Sequence, residues 1–283
     1  MEVQIGGSVI GDGHKVPIVA ELGVNHLGDY GRMKEMIHSA HEAGADFLKF
    51  QTYVAEKRYD PKSNPKAQKF IELLKAWQFS REQESRLWDY ANKIGAQVFT
   101  SAFDPDSVDF ASDLGTLAFK LAAFEIVNLE LIRAMAAKQK PVIFSRGMTN
   151  DEEILRAIQI LEENQCPYII LHTISSYPLE KKDSNLSMIQ ILKQKYSCPV
   201  GHSDHTLGTD IPPLAVAAGA NMIEKHYTVA PKLRESDNFF SVTPDDLKEL
   251  IFKVRQVETY LGGGEITSID AEKFMWDFRR HSD

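Results

Sequence analysis

The chain has 283 residues, 43% of them hydrophobic and 25% charged, enough for a sizeable core and outside the range of disordered chains; it suits one α/β barrel or two smaller domains. A formal net charge of −8 without any Lys/Arg-rich run excludes a general nucleic-acid surface, so an anionic substrate must be held by a few cations inside a pocket. Two cysteines, Cys166 and Cys198, allow neither a disulfide framework nor a zinc-ligand spacing, and the lack of a leader-like segment or long apolar run predicts a soluble cytoplasmic protein with no membrane partner.

Residues 1–16 carry Val3-Gln4-Ile5 and Val9-Ile10 around Gly6-Gly7 and predict a β-hairpin. Lying ahead of the first long apolar run, it is placed to plug the bottom of a barrel. Apolar, β-branched runs then alternate with helical-period stretches. The predicted strands are Ile18–Leu22, Asp46–Phe50, Gln97–Ser101, Ala118–Ala122, Val142–Ser145, Ile169–Thr173, Pro199–His202 and Met222–His226. Most are too apolar for a sheet with one wet face and read as buried on both.

After the second strand, Thr52 to Phe79 is a long excursion bearing Lys57, Arg58, Lys62, Lys66, Lys69 and Lys75, a local positive excess in an acidic chain. Loops of that length are usually functional. Ser80-x-x-Gln83 predicts a capping box before Leu87-Trp88, in a helix that stops at Gly95. Asn150 before Asp151-Glu152-Glu153 places a cap and then acids at the positive end of another helix. Ala43-Gly44 and Ala218-Gly219 predict left-handed helix stops. Alternating β and α units imply a parallel sheet, and eight of them a closed (β/α)8 TIM barrel over residues 17–265, with 266–283 as a C-terminal tail. An open doubly wound sheet is the alternative, and no Gly-x-Gly-x-x-Gly follows the first strand to support it.

Chemistry-bearing residues collect at the predicted strand ends, which in a barrel face the open mouth. Glu21 closes the first strand, followed by Asn25 and His26; Lys49 and Gln51, on one face of the second, point the same way. Lys49 and Lys120 sit inside apolar strands, where an unpaired lysine has no place unless it faces the mouth. Two inward cations suit phosphate or carboxylate; the alternative is an internal salt bridge, for instance with Glu21 or Glu125. Ser145 and Arg146 end the fifth strand, and Ser175, Ser176 and Tyr177 follow the sixth. His205 and His226 close neighbouring strands with Asp204 and Glu224 beside them, a set suited to a divalent metal such as Mn or Zn, with satisfied core histidines as the alternative. His202 and His172 are weaker candidates, and among the other histidines (His14, His26, His38, His41, His281) only His26 has a route to the site. Asp237 is either a polar substrate contact or a plain loop residue.

These segments together resemble the sialic-acid synthase family. The resemblance rests on Ala20-Glu21-Leu22-Gly23-Val24-Asn25-His26, Lys49-Phe50-Gln51-Thr52, Phe119-Lys120, Ser145-Arg146-Gly147-Met148, Ser175-Ser176-Tyr177-Pro178, Gly201-His202-Ser203-Asp204-His205-Thr206 and Glu224-Lys225-His226, and spans roughly residues 15–265. It implies a condensation of phosphoenolpyruvate with a sugar aldehyde, such as N-acetylmannosamine or a diacetamido-dideoxyhexose, to a nine-carbon 2-keto sugar acid and phosphate for surface-glycan biosynthesis. It further implies that His205 and His226 hold a divalent metal, Mn or Mg. Lys49, Lys120, Ser145 and Ser203 would grip phosphoenolpyruvate, and Gln51, Tyr177 and Asp237 the sugar, with Ser175 close by. Glu21 would handle the attacking water and Glu224 support it. A homodimer is implied by resemblance alone. The alternatives are a related pyruvate-using aldolase and a non-catalytic sugar-binding relative.

The chain also departs from the family's pattern. Ala102 and Ala123 stand where members often carry hydroxyls, and Arg146 where they often carry Thr, so either Arg146 stands in for the missing hydroxyls as an anion contact or phosphoenolpyruvate binding is weakened. Phe124, often Gly in amino-sugar members, is expected to crowd the site and alter the accepted sugar. Typical members continue into an antifreeze-protein-like domain that lends a substrate-binding arginine to the partner subunit. Residues 266–283 are expected to form a tail without such a domain, so that either Arg279 or a separate protein completes the site or the sugar is bound more openly.

Overall fold

A computed structural model describes residues 1–59, 67–264 and 266–280; Lys62, Lys66 and His281 lie outside the described residues. Strands β1 (Val3–Ile5) and β2 (Ser8–Ile10) form an antiparallel hairpin with Val3 opposite Ile10. Eight parallel strands follow: β3 (Ile18–Glu21), β4 (Phe47–Thr52), β5 (Val98–Ala102), β6 (Phe119–Leu121), β7 (Val142–Arg146), β8 (Tyr168–His172), β9 (Val200–Asp204) and β10 (Ile223–His226). They close into a barrel, with β10 paired to β3 from Ile223–Ile18 to His226–Glu21. The expected (β/α)8 barrel is what the chain forms.

A helix returns the chain after every strand: α1 (Tyr30–Glu42), α4 (Arg81–Lys93), α5 (Pro105–Asp113), α6 (Leu129–Ala136), α7 (Asp151–Glu163), α8 (Met188–Tyr196), α9 (Ile211–Ala217) and α10 (Pro244–Leu261), with α2 (Ala55–Arg58) and α3 (Ala67–Trp77) inserted before α4. The excursion after β4 is therefore partly helical, because Ile71 and Leu74 recur on one face of α3 and are buried there. The foreseen capping box of Ser80 with Gln83 forms on α4, and the foreseen cap Asn150 closes a box of its own with Glu153 on α7, each satisfying the first free amides of its helix. Gly44 and Gly219 take φ of +96° and +95°, stopping α1 and α9 as expected. Among the described residues no helix is long and apolar enough to cross a membrane.

The apolar strands are buried twice over, and alternation decides where each side chain goes. Val142, Phe144, Ile170 and Val200 pack outward against the helices. Val19, Phe47, Phe99, Ile143, Ile169 and Met222 point inward, and Val3, Ile5 and Ile10 of the hairpin join them. The hairpin thus closes the bottom of the barrel, as its position ahead of the first strand predicts. Both cysteines are buried and unbridged, and burial pushes the Cys166 thiol up to about 11 and the Cys198 thiol up to about 12, as expected of inert core groups. In the tail, Asp270–Phe278 forms 3-10 turns with no buried residue.

Candidate active site

One step further along each strand the inward positions turn polar. Glu21, Lys49, Lys120, Ser145, Ser203 and Glu224 all line a cleft of about 630 Å³ at the C-terminal mouth of the barrel, together with Gln51, Ser175, Tyr177, His205, His226 and Asp237. The strands that carry them are far apart in sequence and adjacent in the barrel, so closure is what assembles the group.

Lys49 takes both roles weighed for it. It faces the cleft, and its ammonium lies 3.2 Å from Glu21 Oε2 and 2.9 Å from Glu224 Oε1. Lys120 differs: its Nζ donates to Ser145 Oγ (2.7 Å) and Leu121 O (3.1 Å), and among the described residues no carboxylate lies within 4.0 Å of it. Burial lowers its pKa from 10.5 to about 8, with Lys49 adding to the effect and Glu224 opposing it. Glu125 does not pair with either lysine; it accepts from Asn128 Nδ2 at 2.8 Å.

The two acids on Lys49 are pushed apart. Burial raises Glu21, and the neighbouring Glu224 charge adds to this despite Lys49. Burial also works against the Glu224 charge, but Lys49 and Lys120 outweigh it and hold that carboxyl low. Ser203 Oγ donates to Glu224 Oε1 (3.0 Å), and Gln51 Nε2 to Glu21 Oε1 (2.7 Å). The pair therefore offers one group that holds a proton near neutrality and one fixed negative charge, a division suited to proton transfer beside a developing cation.

His205 and His226 come from adjacent strands with ring centroids 5.4 Å apart. His205 Nδ1 contacts Ile174 O at 2.9 Å. A carbonyl only accepts, so Nδ1 carries the proton and Nε2 keeps its lone pair for a ligand. His226 Nδ1 is buried with no hydrogen bond among the described residues, 3.4 Å from Asp237 Oδ2. Burial lowers both imidazoles, His205 to about 4 and His226 well below its ordinary value, so both are neutral and able to ligate. Burial raises Asp237 to about 6. Among the described residues no three His, Cys, Asp or Glu side chains gather into a complete metal cage. Two neutral imidazoles with an orphaned buried nitrogen fit a divalent cation whose other positions go to water or substrate oxygens, the open form of site.

Several expected positions fall elsewhere. Arg146 follows inward-facing Ser145 by one residue, so strand alternation sends it outward toward His172 and Tyr196, and it does not line the cleft. It cannot stand in for the hydroxyls that Ala102 and Ala123 do not provide. His172 and His202 are outward core residues held by Ser184 O (2.8 Å) and His172 O (3.0 Å). His26 stacks on Phe79 at 4.3 Å beneath the excursion, away from the main cleft. Arg279 lies over the Trp276 ring in the tail and does not line the cleft either. Conversely, Arg58 does line it and donates to Gln51 Oε1 (2.9 Å), a role visible in the sequence only as part of a positive excess. Phe240 packs against both metal-site candidates, 5.0 Å from His226 and 6.3 Å from His205, and nothing in its local sequence signals this.

A sequence model of the NeuB family matches residues 36–266. The chain is 37% identical over 273 residues to N,N'-diacetyllegionaminic acid synthase of Legionella pneumophila, covering 90% of this chain and 76% of that one. It is 34% identical over 265 residues to pseudaminic acid synthase of Campylobacter jejuni, covering 89% and 76%. The crystal structure of N-acetylneuraminic acid synthetase from Leptospira borgpetersenii, in complex with citrate, superposes with a TM-score of 0.93 at 36% identity over 99% of this chain and 96% of that one.

Proposed function

The chain belongs to the NeuB family, and from that premise we propose that it joins phosphoenolpyruvate to the aldehyde of an acylamido sugar, releasing phosphate and a nine-carbon 2-keto sugar acid for glycan biosynthesis. The observation that carries the proposal is Lys120. A buried ammonium without a carboxylate is costly to hold, and an anionic substrate supplies the missing partner. Lys49 beside it is already paired with Glu21 and Glu224, which leaves Lys120 as the floor cation available to phosphate or carboxylate. The hydroxyls of Ser145, Ser175 and Ser203 supply further hydrogen bonds; Ser175 Oγ is buried and has no hydrogen-bond partner among the described residues.

In this reading C3 of phosphoenolpyruvate forms a bond to the aldehyde carbon, which leaves C2 electron-poor. Glu224, ionised on the floor, stabilises that positive charge. Glu21 accepts a proton from the water that adds to C2, the aldehyde oxygen takes up a proton to become the new hydroxyl, and the C2–O bond to phosphate then breaks as the C2 hydroxyl gives up its proton and the 2-keto group forms. Gln51, Tyr177 and Asp237 orient the sugar along the wall of the cleft. His205 and His226 would hold Mn or Mg, which when bound polarises the aldehyde oxygen.

The test is phosphate release from phosphoenolpyruvate with Mn, across a panel of acylamido sugars, with metal-stripped protein as control. Release that requires both a sugar and the metal is the expected result. Phosphate release without sugar, or none with any sugar although phosphoenolpyruvate binds, overturns the reading.

A further inference from the structure

His205 and His226 stand just past the end of a ladder. Strands β9 and β10 pair Ile223 with His202, Glu224 with Ser203 and Lys225 with Asp204, and the register stops there. Each histidine comes one residue later, with Leu179 N donating to His205 O (3.0 Å) and Val242 N to His226 O (2.8 Å). The last pair of the ladder ties one to the other. Alternation turns Lys225 away from the cleft that Glu224 and His226 line. Its ammonium lies 2.6 Å from Asp204 Oδ2 and also donates to Thr206 O, so it grips the chain on both sides of His205. Asp204 in turn accepts from Thr206 N and Thr206 Oγ1, both at 3.1 Å.

Lys225 and Asp204 are fully buried, and neither lines the cleft. Burying two charges costs desolvation that their attraction seldom repays, and apolar replacements of similar volume are often as stable or more so. Stability therefore does not account for the pair. A fixed geometry does, because charge-assisted bonds aimed across two strands permit few arrangements where an apolar contact permits many. We propose that the Lys225–Asp204 pair is a positioning clamp, which sets the separation and orientation of His205 and His226 for a divalent cation without touching it. The inference rests on the reading of these two histidines as cation ligands.

The experiment titrates Mn and, separately, phosphoenolpyruvate into the full chain by calorimetry, with urea unfolding alongside. It uses native protein, His205→Ala, and two double variants: Lys225→Met with Asp204→Asn, and Lys225→Gln with Asp204→Asn. Groups that orient a metal ligand are worth roughly 10- to 100-fold in metal affinity. The first double variant should lose about that factor for Mn, with phosphoenolpyruvate affinity unchanged and the urea midpoint equal or higher. The second keeps an uncharged hydrogen bond across the strands and should lose less. Native Mn affinity in the first double variant overturns the proposal. So does a loss of Mn affinity matched by losses in phosphoenolpyruvate affinity and urea midpoint, which marks general loosening. If the first double variant does not fold, the second decides: native Mn affinity sinks the clamp, and a loss confined to Mn upholds it. Mn binding that survives His205→Ala, or that native protein lacks, removes the metal reading instead, and the clamp falls with it.

Discussion

Two layers of the barrel interior, one side-chain step apart on the same strands, have opposite chemistry. Val19, Phe47 and Ile143 fill the lower layer with the hairpin's Val3, Ile5 and Ile10. Two residues further on, Glu21, Lys49 and Ser145 belong to the upper layer, with Lys120 and Glu224. Both layers are almost fully buried, yet burial works for the first and against the second. Apolar side chains gain by leaving water, whereas desolvation lowers Lys120 and raises Glu21. The lower layer and its plug supply stability that the upper layer draws down. The cost of burying the upper layer is relieved only in part by the pairing of Lys49 with Glu21 and Glu224.

Separating the two layers by mutation tests this division. His205→Ala should have the largest effect, abolishing Mn binding in a calorimetric titration and lowering kcat by more than the roughly 10- to 100-fold typical of residues one shell behind a metal ligand. Unaltered Mn affinity would take His205 out of the metal site. Ile5→Ala removes a fully buried side chain from the plug and should cost about 2–5 kcal/mol in urea unfolding, with kcat/KM per folded molecule unchanged. A large drop in kcat/KM would show that the layers are coupled. Lys120→Met should raise KM for phosphoenolpyruvate by roughly 10- to 100-fold, the worth of hydrogen bonds to a charged group. It should also leave urea stability equal or higher, since a buried unpaired charge disappears. An unchanged KM would remove Lys120 from the site.

The smallest effects are in pH dependence. Lys120 is charged below its pKa of about 8, so KM for phosphoenolpyruvate should climb as pH rises through that value, and the rise should vanish in Lys120→Met. The same group makes a linked prediction for folding. Its folded pKa lies below the ordinary 10.5, so between about 8 and 10.5 the unfolded chain holds more protons and stability should increase with pH. Stability that falls across that window, with Lys120→Met unaffected, would contradict the burial assigned to this lysine.

Much of this was legible in the sequence. Eight doubly apolar strands alternating with capped helices imply a closed parallel barrel, because each strand must bury both faces. Lys49 and Lys120 stood out because a charge inside an apolar strand has only the mouth to face. The period of two also held the answer for Arg146, since a residue next to an inward Ser145 must point outward. Such signals are local, set by side-chain period and the cost of burying charge within a few residues of chain. The tertiary structure alone decided which groups meet. Glu224 reaches Lys49 because β10 closes against β3, Arg58 bends back from its helix onto Gln51, and Phe240 folds over the two histidines from a loop beyond the last strand. Those contacts join segments distant along the chain, and their geometry follows from barrel closure and loop packing rather than from any local pattern.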